Sequence, residues 1–199
     1  NIVKVLEVGE IAGRLYIAME YIEGQTLADF IKSGRRLTIE QSLTVVEEIA
    51  SALDETHAKK VIHRDVKPAN ILLDTNGHNH LVDFGLAHAA QSSLGSSANS
   101  VGMGTATYMS PEQAAGRTGD KTTDVYSLGV IAYEMLTGKL PFEAETMMGY
   151  MTAHRETPVP LPSKVNPAIS WDVQKVLLKA LAKDPGQRYK SAGAFARSL

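Results

Sequence analysis

The chain of 199 residues contains no cysteine, which excludes a disulfide framework and a thiolate zinc site and suits a reducing compartment. It has no excess of either charge: 20 Lys and Arg against 22 Asp and Glu leave a formal net charge of −2. No basic footprint for nucleic acid is present. No apolar run approaches the ~18 residues that a spanning helix needs, and the N-terminus lacks the layout of a signal peptide. We therefore expect no nucleic-acid partner, no membrane contact from this segment and a cytoplasmic location. The first residue is Asn1 rather than Met, which reads as an excerpt of a longer protein. What is present is 44% hydrophobic content, enough for one sizeable core.

Residues 2–8 (IVKVLEV) and 15–19 (LYIAM) are short runs of branched and aromatic residues that predict two strands joined near Gly9–Gly13. Thr26 with Asp29 predicts the capped start of a short helix closed by Gly34, and Thr38 with Gln41 is a capping box. Behind it, Leu43, Val46, Ala50, Leu53 and His57 recur at helical spacing, giving an amphipathic helix over 39–58. Residues 124–137 are apolar nearly all round, as in a buried helix, with Gly138 as its stop. Gly116–Asp120 read as a surface loop and 158–167 as a proline-rich connection. Ser170 caps a helix to about Lys183, and a further helix follows Ser191. Residues 86–104, rich in Ser, Gly and Ala, predict a long loop of the kind that is usually functional.

One stretch is chemically dense. "VIHRDVKPAN" (61–70) sets His63, Arg64, Asp65, Lys67 and Asn70 directly after an apolar pair, where a core would not tolerate them unpaired. Next comes "ILLDTNGHNHLVDFG", whose Asn76-Gly77 predicts a tight hairpin. A two-residue turn centred there sets Asn70 opposite Asp83, with Asp65 on the loop entering the same hairpin. Such a carboxylate and amide oxygen set suits a hard cation such as Mg²⁺. The same groups taken singly would serve a capped polar turn. His78 and His80, flanking the turn, are expected to be solvated rather than metal-bound.

"HRDVKPAN" and "DFG" resemble the catalytic loop and metal-binding motif of protein kinases. Five fixed residues would match by chance at roughly one position in a million. "GTATYMSPE" (104–112), "DVYSLG" (124–129) and "DPGQR" (184–188) resemble later landmarks of that family, in order. The whole chain is most similar to bacterial Hanks-type Ser/Thr kinases. The resemblance implies an α+β, protein-kinase-like fold: a mainly helical C-lobe (25–199) with the last two strands and hinge of the N-lobe (1–24). Within it, 63–70 is the catalytic loop and 83–112 the activation segment.

The resemblance also implies roles. The reaction moves the γ-phosphate of ATP to protein Ser or Thr. Asp65 orients the acceptor hydroxyl, Lys67 steadies the transferring phosphoryl, and Thr105 supports that pair. Asn70 and Asp83 hold Mg²⁺. Adenine lies against the Glu20 carbonyl, the Ile22 amide and Leu72, with Met19 as gatekeeper. His63 is structural, stacked on Phe84. Glu112 and Arg188 form a buried ion pair, and Asp124 caps the backbone of the catalytic loop. Arg64 implies control by phosphorylation between 92 and 107, at Ser100 ahead of Ser96 and Ser97, although His88 replaces the basic residue of many relatives. A homodimer is one route to that autophosphorylation. The Gly-rich loop, strand lysine and helix glutamate of a complete kinase precede the region matched. The segment alone is therefore expected to be inactive and prone to associate through its strand edges. A binding or scaffold module of pseudokinase type is the alternative.

Overall fold

A computed structural model describes residues 1–83 and 103–199. Phe84, Gly85, His88, Ser96, Ser97 and Ser100 lie outside the described residues, and with them most of the expected long loop. A β1–β2 hairpin (Val5–Ile11, Arg14–Met19) comes first. Its turn is Ala12-Gly13, both at positive φ, so β1 runs three residues beyond the predicted end. Val5, Leu6, Val8, Ile11 and Leu15 are exposed on it. Next come β3 (Gly24–Thr26), α1 (Leu27–Lys32) and α2 (Ile39–Ala58). Both predicted caps form: Thr26 accepts from Asp29 N, and Thr38 and Gln41 complete a capping box. Strands β4 (Ile71–Asp74) and β5 (Asn79–Leu81) join β3 in an antiparallel sheet of order β3-β4-β5. Gly24 is required there, because a Cβ would collide with the Leu73 carbonyl of β4.

The hairpin register differs from the sequence expectation by one residue. Ile71 pairs with Leu81 and Leu73 with Asn79, so Val82 N donates to Asn70 O (3.0 Å) and Asn70 faces Val82, not Asp83. The loop has three residues, closed by Asp74 N to His78 O at 2.9 Å, with Gly77 at φ +88. A turn followed by a left-handed glycine is the favoured three-residue hairpin loop. Asp74 Oδ1 selects it by accepting from both Asn76 N and His78 N. Gly77→Ala should cost about 1 kcal/mol of stability through the left-handed backbone. Chemical denaturation measures it, and an unchanged midpoint would refute the turn assignment. The two histidines have acidic neighbours: His80 pairs with Asp74 (3.0 Å), and the largely exposed His78 with Glu48 (3.3 Å).

The remainder is helical: α3 (Met103–Ala106), α4 (Pro111–Ala114), α5 (Lys121–Thr137), α6 (Met147–Glu156), α7 (Pro162–Val165), α8 (Trp171–Ala180) and α9 (Ala192–Ala196). Helix α5 begins earlier than expected. Asp120, expected in a loop, is its N-cap and accepts from Thr122 N (2.8 Å). At the other end Gly138 adopts φ +73 and donates to Glu134 O. Helix α8 ends at Ala180, three residues short of Lys183. The core lies where α2, α5 and α9 meet: Val46, Ile49, Leu53, Leu128, Ile131 and Phe195 are buried in one cluster. Burying one such side chain is worth about 1.5–3 kcal/mol. This scaffold, an α+β arrangement with a mainly helical lobe, holds the loop after α2 against the β4–β5 sheet.

Candidate active site

The loop after α2 takes its shape from one buried carboxylate. Asp124, in the first turn of α5 and fully buried, accepts from His63 N (2.9 Å), Arg64 N (2.8 Å) and His57 Nε2 (2.7 Å). Arg64 sits at φ +64, a conformation that costs a non-glycine residue about 1–2 kcal/mol. The two bonds to consecutive amides hold that turn in place. His63 is fully buried and contacts the Val82 carbonyl through Nε2 (2.9 Å). A carbonyl only accepts, so Nε2 carries the proton and Nδ1 is left to accept from Asp65 N (3.3 Å). The backbone of Asp65 is thereby tied to the strand end beyond β5.

Around Asp65 the side chains converge. Lys67 Nζ donates to Asp65 Oδ2 (2.7 Å) and to Thr105 Oγ1 (3.0 Å). Asn70 Nδ2 donates to Asp65 O (2.8 Å) and Oδ2 (3.2 Å). Two donors therefore land on one carboxylate oxygen, while Oδ1 takes no hydrogen bond from the described residues. The Asp65 and Lys67 side chains keep 24% and 21% of their surface, enough for a ligand to reach them. Asp65, Lys67, Asn70 and Thr105 thus form one connected group. Asp83 lies one residue past the Asn70–Val82 contact, exposed and at φ +63, a conformation that aspartate tolerates better than most residues.

Asn70 uses its amide nitrogen in both bonds, which leaves its Oδ1 without a bond from the described residues, and Asp83 follows Val82, the residue that Asn70 faces. No group of three or more His, Asp or Glu suited to a metal occurs among the described residues. One carboxylate and one amide oxygen fit Mg²⁺, which keeps several waters and is completed by phosphate oxygens rather than by a protein cage. The expected adenine contacts lie apart in sequence. Glu20, exposed, donates from its backbone N to Lys4 O (2.9 Å), and Ile22 follows in the connection to β3. Leu72, half-buried on β4, pairs with Thr26, the last residue of β3. Met19 is the last residue of β2.

Residues 105–113 form the opposite wall. Ser110 and Gln113 make a capping box for α4, and Gln113 Nε2 donates to Arg64 O (2.7 Å). Behind it, the expected Glu112–Arg188 pair is bidentate at 2.8 Å. Three anchors were missed by sequence reasoning: Ser127 Oγ to Tyr108 O (2.8 Å), Tyr108 OH to Glu134 Oε2 (2.7 Å), and His154 Nε2 with Thr107 O (2.9 Å). Their partners fall on α5 and α6, and no local pattern announces a side chain aimed at a distant carbonyl or carboxylate. Burial raises the Glu134 carboxyl above its ordinary range, against the opposing bond from Tyr108.

Burial, with help from the Lys183 charge, pushes His154 down to about 4. An unfolded histidine titrates near ~6.5, so between these values the unfolded chain binds the additional proton. Stability from His154 is therefore complete above ~6.5 and is lost as pH falls toward 4, at no more than about 1.4 kcal/mol per pH unit. Denaturation midpoints from pH 7 to 4.5 should fall more steeply in wild type than in His154→Gln. Parallel curves would contradict a neutral buried imidazole.

Comparison with known proteins bears on this geometry. A family model described as "Protein kinase domain" matches residues 1–198. Serine/threonine-protein kinase PrkC of Bacillus subtilis is 40% identical over 192 residues, covering 96% of this chain and 30% of that relative. Serine/threonine-protein kinase PknB of Mycobacterium leprae is 41% identical over 204 residues, covering 100% of this chain and 33% of that relative. The chain thus spans about a third of the length of the curated relatives it matches.

Proposed function

The chain belongs to the protein kinase family, and from that premise we propose that it transfers the γ-phosphate of ATP to serine and threonine hydroxyls of proteins. The observation that carries the reading is the shared lysine. Lys67 Nζ binds Asp65 and Thr105 at once, joining the catalytic loop to the segment that would present an acceptor. A cation held between a carboxylate and a hydroxyl is suited to meet a transferring phosphoryl group as a point charge.

Position supports a set of roles. Asp65, with Oδ2 bound by Lys67 and Asn70, offers Oδ1 to the acceptor hydroxyl and takes its proton as the new bond forms. Asn70 and Asp83 would hold Mg²⁺, which would supply neutralisation of the phosphate charge. Glu20 and Ile22 offer backbone groups to adenine, and Leu72 supports its face. His63, Asp124 and His57 act on none of these groups directly. They fix the loop that carries Asp65. Residues 1–24 would serve the nucleotide side, and 25–199 the metal and acceptor sides.

The test is transfer of labelled γ-phosphate, with Mg²⁺ and the full-length protein, to matched peptides carrying Ser, Thr or Tyr as the sole acceptor. Label on Ser and Thr with little on Tyr supports the reading. Equal labelling of Tyr, or none at all on any peptide, would overturn it.

A further inference from the structure

Helix α6 carries a fully buried histidine whose contacts lie outside its own helix. His154 Nε2 faces the Thr107 carbonyl (2.9 Å), and its Nδ1 faces Tyr126 OH (2.9 Å). Because a carbonyl only accepts, Nε2 carries the proton and Tyr126 OH donates to Nδ1. The ring has no freedom to turn. Tyr126 and Phe142 pack edge-on against it at centroid distances of 5.6 and 5.1 Å. Lys183 Nζ donates to the Ala153 and His154 carbonyls (3.1 and 2.7 Å), fixing the last turn of α6 from below. The donor aimed at Thr107 is thus rigid on both sides.

Thr107 lies two residues after Thr105, which binds Lys67, and directly before Tyr108, whose carbonyl is held by Ser127. Resting on the kinase reading above, we propose that His154 is a positioning residue for the protein acceptor. Its Nε2–H fixes the Thr107 carbonyl, and so sets where the 105–110 segment presents a peptide to Asp65. Among the described residues, the hydrogen bonds of His154 run to Thr107, Tyr126 and Lys183, none of them a residue assigned to the nucleotide side. Loss of this bond should therefore fall on acceptor affinity and leave ATP affinity alone.

The Gln and Asn variants separate this role from a general packing role. His154→Gln can place an amide donor where Nε2 was, whereas the shorter side chain in His154→Asn reaches only the Nδ1 position. In the full-length protein we expect His154→Asn to raise KM for a Ser/Thr peptide about five- to tenfold, the worth of one hydrogen bond. KM for ATP should stay at the wild-type value, and His154→Gln should restore most of the peptide KM. Equal peptide KM in the two variants, or a parallel rise in both KM values, would overturn the proposal. Failure of either variant to fold would also count against it, because it would make the role structural. A wild-type protein that phosphorylates no peptide would instead refute the kinase reading itself.

Discussion

Asp65→Asn is expected to lower the turnover number by about 10²–10⁴-fold, the usual worth of a positioned general base. The amide keeps the size of the carboxylate and can still accept from Lys67 and Asn70, which bind Oδ2 at 2.7 and 3.2 Å. What disappears is the charge that draws the acceptor proton. The fold should be unaffected, because Asp65 is only half-buried and the loop is held through Asp124 and His63. Steady-state transfer to a Ser/Thr peptide measures the effect. A loss smaller than about tenfold would remove Asp65 from the centre of the reaction.

Arg188→Met is expected to destabilise the domain by about 3–5 kcal/mol, the cost of breaking one side of a buried pair. All five guanidinium donors are in use: Nε to Ala182 O, one nitrogen to Glu112 Oε1 and Thr122 O, the other to Glu112 Oε2 and Lys183 O. Burial alone would raise the Glu112 carboxyl, but the bonds from Arg188 and Thr123 outweigh it and hold it below its ordinary value. Methionine would remove the counter-charge of that anion, leaving it the Thr123 hydroxyl, and would take the donor from three carbonyls. Arg188→Lys should also fail, since a point charge cannot replace the fork. At about 2–4 °C per kcal/mol for a chain of this size, the melting temperature should drop by about 10 °C. Replacing Glu112 by Leu in the Arg188→Met background should recover part of that loss. A single-variant loss below 1 kcal/mol would show that the pair is dispensable.

Much of this arrangement was legible in the residues, wherever a local rule determines the outcome. The caps at Thr26, Thr38 and Ser170, the span of α2 and the stop at Gly138 follow from short-range hydrogen bonds and backbone freedom. The grouping of Asp65, Lys67, Asn70 and Thr105, and the Glu112–Arg188 pair, came from resemblance to a family. No spacing argument brings together residues 38 or 76 positions apart. The hairpin register was misjudged because Asn76-Gly77 satisfies both a two-residue turn and a three-residue loop. Asp74, by accepting from the amide of Asn76 in the loop and of His78 that closes it, favours the second. Asp120 was missed as a cap because Thr122, Thr123 and Asp124 are polar yet buried, so the apolar pattern of α5 starts late. His154 and Ser127 act on distant carbonyls, which sequence patterns do not encode.

The central claim is a division of labour: Asp65 on the acceptor side, Asn70 and Asp83 on the metal side. Nucleotide affinity measured with and without Mg²⁺ in the full-length protein tests it most directly, by titrating Asp65→Asn and Asp83→Asn against a fluorescent ATP analogue. The account predicts that Asp65→Asn binds the Mg²⁺ complex nearly as wild type, while Asp83→Asn loses the affinity that Mg²⁺ confers. Equal loss in the two variants, or full Mg²⁺-dependent affinity in Asp83→Asn, would contradict it.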